Sequence, residues 1–358
     1  MENNLTPTDF APGPLFVVGM WRSGTSLLYS LLNQHPQIAL LYEGDLPLLG
    51  PLFRNGKSSS DWQERWEFWN QAPTRHGIDL SKVPAQAPDL QSAAIATWQE
   101  YAGLALYGDK SPNYFDFLPQ LAKAFPNARF IVIWRDLADV CRSMVNARAG
   151  SSYFRKRGIM HRAVIGYHKL KQGCDSLSAM GVPLHQIQYE ELIEKPEVVL
   201  GGICKFLDIR FDQRMTQLES ADRSAIYNAV HHSGVKSDKI GLDKKRKEVL
   251  SPALKGKIES YVSYWKEEYG STWPLYPQSV SADAKQPGAL RRSFDNALFS
   301  GLRRFDKFTS YVYCYAPIGL LRGYRSMKAR SRATVEAKPE KDRFAEPARE
   351  RARSTAQF

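Results

Sequence analysis

Apolar residues along this chain fall into short unbroken runs, each followed by a helical stripe. Leu15-Phe-Val-Val-Gly19 is such a run; Trp21-Arg-Ser-Gly-Thr-Ser26 follows, and Leu27, Leu28, Leu31 and Leu32 then recur at helical spacing. The pattern predicts a strand, a tight turn and a helix that stops near Asn33-Gln34-His35-Pro36, since proline cannot continue it. Further strands are predicted at 104–108 and at 129–134, the second after the turn Phe125-Pro-Asn-Ala. Residues 114–125 and 136–147 supply crossover helices; 187–190 and 198–207 add a strand and a helix. Continuous apolar strands alternating with helices imply an α/β class with a central parallel sheet covered on both faces.

Past Pro274 the composition turns linker-like, at 279–288, and a different pattern begins. Phe294, Leu298, Leu302, Phe305 and Phe308 form a helical stripe among Arg291, Arg292, Arg303, Arg304 and Lys307, and 322–332 is again basic. The chain therefore divides into an N-terminal extension (1–13), one α/β domain (14–278), a basic amphipathic helical appendage (279–332) and a tail (333–358) expected to be disordered. The stripe suits an interfacial helix on an anionic membrane surface, and equally well docking on the protein's own surface or on the mate of a homodimer.

Charge sharpens this division. The net charge is +12, yet residues 285–358 hold 17 Lys+Arg against 7 Asp+Glu (+10), leaving 32 against 30 (+2) for the first 284. A nearly neutral body argues against nucleic acid as a partner. The N-terminus lacks the apolar core of a signal peptide, and no run reaches the roughly 18 residues of a membrane span, so a cytoplasmic location is expected, with peripheral membrane association through the appendage. Four scattered cysteines (Cys141, Cys174, Cys204, Cys314) read as reduced thiols. Neither CxxC nor HExxH occurs, so no metal is expected.

Gly19-Met-Trp-Arg-Ser-Gly24-Thr25-Ser26 has the spacing of the Walker phosphate loop, with Thr25 where lysine belongs. Backbone N–H groups at the helix start would still cradle a phosphate, but the lysine that reaches the terminal phosphates of a nucleoside triphosphate is missing. Arg22 inside the loop adds a planar cation. A GxxxxG spacing by itself is an ordinary turn; the Arg-Ser-Gly-Thr-Ser cluster at the first strand–helix turn favours phosphate binding.

At these residues the chain resembles the sulfotransferases that use 3′-phosphoadenosine 5′-phosphosulfate (PAPS), especially the tyrosylprotein sulfotransferases and their bacterial relatives, over 15–269. The resemblance implies a P-loop-type fold, PAPS as co-substrate, and a 5′-phosphosulfate loop at Arg22, Ser23, Gly24, Thr25 and Ser26. The segment ending at Tyr42-Glu43 resembles the one that carries the catalytic glutamate, and Tyr107-Gly-Asp-Lys110-Ser-Pro112 the catalytic-lysine turn. Trp134-Arg135-Asp with Arg142-Ser143-Met looks like the 3′-phosphate site, and Tyr189 like a tyrosine near the nucleotide. The tyrosylprotein enzymes have two successive acidic residues where this chain has Tyr42-Glu43; Arg148 stands one position from a family arginine; the late cofactor-covering loop falls within 233–246.

Sulfuryl transfer needs a base for the acceptor hydroxyl and cations for the leaving oxygen. Glu43 is the candidate base, with Asp45 as a rival; Lys110 and Arg22 are the candidate cations, taking the place of metal. Arg135 and Ser143 face a 3′-phosphate, or else Arg135 pairs with Asp139 at the surface. Trp62, Trp66 and Trp69 pack as core in preference to stacking on a sugar or phenol. The acceptor is a hydroxyl of a carbohydrate, glycolipid, tyrosine or small alcohol. Two competing readings are a phosphate-loop kinase or NTPase, with Asp136 near a strand end, and a non-catalytic membrane-binding protein with a degenerate nucleotide fold.

Overall fold

The computed structural model describes residues 13–103, 106–148, 150–156, 158–226, 240, 250–270 and 284–336, with side chains as far as Met327. Five strands, β1 (Leu15–Val18), β2 (Ile38–Tyr42), β3 (Leu106–Lys110), β4 (Arg129–Trp134) and β5 (Leu184–Gln188), form one sheet in the order β2-β3-β1-β4-β5. Every neighbouring pair is parallel. Between β1 and β2 lies α1 (Thr25–Leu32); between β2 and β3 lie α2 (Trp62–Asn70), α3 (Ala72–His76) and α4 (Leu90–Ala102). α5 (Leu118–Ala124) leads to β4, and α6 (Leu137–Ala147) and α7 (Ile159–Ala179) to β5. Then follow α8 (Tyr189–Glu194), α9 (Pro196–Leu207), α10 (Pro252–Tyr269), α11 (Ala289–Tyr315) and α12 (Ile318–Glu336).

The unbroken apolar strands follow from burial on both faces. In β1, Phe16 and Val18 enter one core with Trp98, Leu121, Met144 and Val164, while Leu15 and Val17 enter the other with Leu28, Leu31 and Ile203. Alternation of side chains across a strand buries both sets, so no polar face is needed.

Three elements differ from expectation. β3 runs two residues further than predicted, to Lys110, because Leu15 pairs with Gly108 and Val17 with Lys110; polar Asp109 and Lys110 are tolerated in a strand since both are hydrogen-bonded there. Residues 114–125 are not one helix: a 3₁₀ segment, Pro112–Asp116, precedes α5, which restarts with Pro119 in its first turn. β5 begins at Leu184 and stops before Tyr189, which opens α8.

The four cysteines are buried free thiols. Among the described residues no helix is long and apolar enough to cross a membrane. One side of α11 rests on the body: Arg303 grips Asp116 at 2.7 and 2.6 Å, and Arg65 donates to the carbonyls of Tyr313 (3.1 Å) and Ala316 (2.8 Å). The expected linker at 279–283, the late loop at 233–239 and 241–246, and the tail from 337 onward lie outside the described residues.

Candidate active site

A parallel sheet points all its carboxyl ends to one edge, where ligands bind in such folds. Each of the five strands here delivers a predicted site residue to that edge. Arg22 follows β1, Glu43 follows β2, Lys110 ends β3, Arg135 follows β4 and Tyr189 follows β5.

In the loop after β1, Ser23 N–H donates to the Met20 carbonyl at 3.0 Å and α1 starts at Thr25 behind Gly24. Gly24 has φ +101°, and a Cβ there would stand 2.3 Å from the Tyr189 ring. Arg22 also has positive φ, +71°. Ser23 is buried, and its hydroxyl has no hydrogen-bond partner among the described residues. Ser26 Oγ and Tyr42 OH share a hydrogen bond of 2.9 Å, which ties α1 to the end of β2.

The nucleotide candidates form one connected set. Arg22 Nε donates to Ser143 Oγ at 3.0 Å, and Arg135 Nη1 donates to the Arg22 carbonyl at 3.0 Å. The Arg135 guanidinium sits 4.3 Å from the centre of the Tyr189 ring, a cation–π contact, while its buried Nε has no partner among the described residues. Asp139 pairs with Arg142, in place of the alternative pair with Arg135. Two guanidinium groups, a serine and a helix start converge here, a donor set suited to a nucleotide with more than one phosphate group.

Next to this set, Lys110 Nζ donates to Glu43 Oε1 at 2.9 Å. The register that pairs Tyr42 with Lys110 brings them together, and Glu43 N–H donates to the Lys110 carbonyl at 2.8 Å. Lys110 is wholly buried, with its ammonium 3.4 Å from the centre of the Tyr42 ring. Burial pushes the Lys110 pKa below the ordinary lysine value, against the opposing pull of Glu43, Asp109 and Asp45. Glu43 itself sits at φ +50°, a left-handed conformation that costs a non-glycine residue on the order of 1 kcal/mol or more.

What holds Glu43 in place is a buried network that the sequence did not reveal. Asp109 accepts from the Gly44 and Asp45 N–H groups at 3.0 and 2.8 Å and from Tyr114 OH at 2.6 Å. Asp45, the rival base, accepts from Ser111 Oγ and from Asn113 Nδ2 (3.0 Å). Both its oxygens are engaged, so Asp45 anchors the turn and leaves Glu43 as the carboxylate beside Lys110. Burial raises the pKa values of both aspartates, and for Asp45 repulsion from Asp109 and Glu43 adds to it. Trp66 Nε1 donates to the Gly44 carbonyl at 2.6 Å; Trp62 and Trp66 are fully buried, the packing role expected of them. Tyr42, Asp109 and Tyr114 carried no sequence signal beyond adjacency to the two motifs. Asp136, the candidate of the kinase reading, caps α6 by accepting from Asp139 N–H at 2.9 Å.

Fold and site together define a phosphate-loop-like α/β protein with a carboxylate–ammonium pair beside the loop. The family model described as "Sulfotransferase family" matches residues 14–213, more than half of the chain, and the protein belongs to that family. It is 27% identical over 206 residues to a putative protein-tyrosine sulfotransferase of Caenorhabditis briggsae, covering 56% of this chain and 67% of that one. Protein-tyrosine sulfotransferase A of Caenorhabditis elegans is 23% identical over 215 residues, 57% of this chain and 52% of its own length. Among solved structures, the sulfotransferase domain of the Synechococcus PCC 7002 olefin synthase superposes with a TM-score of 0.53 at 21% identity, over 72% of this chain and 96% of that domain. The sulfotransferase domain from the curacin biosynthetic pathway gives 0.51 at 22%, over 72% and 98%. At such identities the structural likeness speaks for the fold.

Proposed function

We propose that this protein transfers a sulfuryl group from PAPS to an acceptor hydroxyl. In this reading the Ser23–Ser26 turn takes the 5′-phosphosulfate through the backbone N–H groups of Gly24, Thr25 and Ser26, with the start of α1 adding its dipole. Arg135 and Ser143 take the 3′-phosphate and Tyr189 flanks the nucleotide. The acceptor oxygen bonds to sulfur as the bond between sulfur and the bridging oxygen of the 5′-phosphate breaks. The acceptor proton passes to the Glu43 carboxylate, and the bonding pair leaves with 3′-phosphoadenosine 5′-phosphate. Lys110 and Arg22 meet the charge that develops on the bridging oxygen. With these side chains supplying the positive charge, transfer is expected to survive a chelator.

The Glu43–Lys110 contact of 2.9 Å carries this reading. A carboxylate and a buried ammonium in contact at the sheet edge, one strand from a phosphate loop, supply both halves of the transfer. The tyrosine-sulfating relatives support the phenol of tyrosine as the first acceptor class to assay, beside carbohydrate, glycolipid and small-alcohol hydroxyls.

The test is calorimetric titration with 3′-phosphoadenosine 5′-phosphate, followed by transfer from labelled PAPS into a cell extract with and without EDTA. Binding heat and chelator-resistant labelling are expected. Absence of heat with this nucleotide, together with turnover of magnesium-ATP, would establish the kinase reading instead.

A further inference from the structure

α11 has two unlike faces. One is held against the body by the Arg303–Asp116 pair and by Phe299, buried against Phe115. The other presents Leu290, Phe294, Leu298, Phe305, Phe308 and Val312, between 41% and 89% exposed, as a single stripe along a 27-residue helix of about 40 Å. Among the described residues Leu290, Phe294, Phe305 and Phe308 keep more than 60% of their surface free. Isolated exposed apolar residues are ordinary on a protein surface, whereas a continuous row of six is the mark of an interaction face.

The charges of α11 are sorted just as strictly. Its only acidic residues, Asp295 and Asp306, are both engaged with basic partners: Asp295 accepts from Lys257 (3.0 Å), Tyr261 (2.8 Å) and Arg291 (3.0 Å), and Asp306 pairs with Arg162 and Arg303. The exposed charges flanking the stripe are Arg291, Arg304 and Lys307, all basic. At its far end the Tyr311 and Tyr315 rings lie 4.2 Å apart, tilted by 40°, with the exposed Arg54 against both, and α12 continues with exposed Leu320, Tyr324, Arg325 and Met327.

We propose that this face of α11, continued by α12, docks on an anionic lipid surface, with the apolar row in the acyl boundary and the basic rim among the headgroups. Charge decides against a second copy of the chain as occupant. Two such faces would bring Arg304 and Lys307 against like charges, with no exposed carboxylate of α11 to offset them. Tyr311 and Tyr315 at the end of the row suit the headgroup level of a bilayer.

Co-sedimentation of the full chain with vesicles tests this. Binding is expected to vesicles of phosphatidylcholine with about one third phosphatidylserine, but not to phosphatidylcholine alone, and should weaken as salt rises. Phe305→Asp with Phe308→Asp, and separately Arg304→Glu with Lys307→Glu, should each lower vesicle affinity at least ~10-fold while the melting temperature stays that of the wild type. A Phe308→Cys variant bearing an environment-sensitive dye should shift to the blue only with the anionic vesicles, which keeps the proposal testable if a charged variant fails to fold. No binding to anionic vesicles, unchanged binding in both double variants, or a dimer that Phe305→Asp with Phe308→Asp dissolves without any vesicle binding would each overturn it.

Discussion

Arg22 and Ser143, 121 positions apart, meet at 3.0 Å between guanidinium Nε and hydroxyl Oγ. One belongs to the loop after β1 and the other to the middle of α6, so the residues assigned to the two phosphates of the donor form one continuous group. Arg135 extends it by donating to the Arg22 carbonyl, and Tyr189 closes it by packing over Gly24. Binding at either phosphate should therefore be felt at the other, and the variants below separate the parts.

Glu43→Gln removes the base and keeps the shape. Transfer should fall about 10²- to 10⁴-fold, the range for loss of general base catalysis, with nucleotide affinity changed by no more than ~3-fold. The substitution also leaves buried Lys110 without its carboxylate, so the melting temperature should drop. Single-turnover rates with saturating donor give the first number, and wild-type turnover would remove Glu43 from the mechanism.

Lys110 links the reaction to alkaline pH. Its folded pKa lies below the ordinary 10.5, chiefly through burial, so its charge is lost at a lower pH than for an exposed lysine. The rate should accordingly fall on an alkaline limb below that value. Lys110→Arg keeps the charge to above about pH 12, so the limb should move upward even though the rate is reduced. A pH–rate profile with an unshifted limb would assign it to another group.

Arg135→Ala should discriminate between nucleotides. Loss of a charged contact to the 3′-phosphate is worth roughly 1.5–3 kcal/mol, or about 10- to 150-fold in affinity. Adenosine 5′-phosphosulfate, with a free 3′-hydroxyl, should lose less than ~3-fold by the same calorimetric assay. Equal losses would place the 3′-phosphate elsewhere.

Gly24→Ala probes the seat of Tyr189. Both the positive φ and the 2.3 Å approach of a Cβ to the ring oppose it, so affinity for 3′-phosphoadenosine 5′-phosphate should fall at least ~10-fold. In a Tyr189→Ala background the same change should cost less, because only the backbone strain remains. An additive double-mutant cycle would mean that the two residues do not touch.

Asp45→Asn tests the buried carboxylate pair. A raised folded pKa means that the folded state retains protons that the unfolded state has lost, so this group's stabilisation is lost as pH rises through the folded value. From about pH 4 to about pH 8 the wild type should therefore lose more of its melting temperature than the Asn variant does. Parallel melting curves would show that burial does not raise the Asp45 pKa in the fold.

The division between what the chain announces and what its folding settles runs along physical lines. Strands buried on both faces must be continuously apolar, and the phosphate loop must place small residues between a strand and a helix; both constraints are local. The parallel sheet, the loop at Arg22–Ser26 and the candidates Glu43, Lys110 and Arg135 were thus legible from the sequence, partly through family resemblance. Register and depth are not local. Lys110 falls inside β3 because Val17 pairs with it, and polar Asp109 belongs in a strand only because Gly44, Asp45 and Tyr114 arrive to bond it. Resemblance alone preferred Glu43 to Asp45, but that both Asp45 oxygens are engaged follows only from the positions of Ser111 and Asn113. α11 shows the same limit: its sequence displays a hydrophobic stripe and many cations, but only packing determines that Phe299 turns inward while Phe305 and Phe308 stay in solvent. A periodic pattern states that a helix has an apolar side; what lies against that side depends on chain segments far away in sequence.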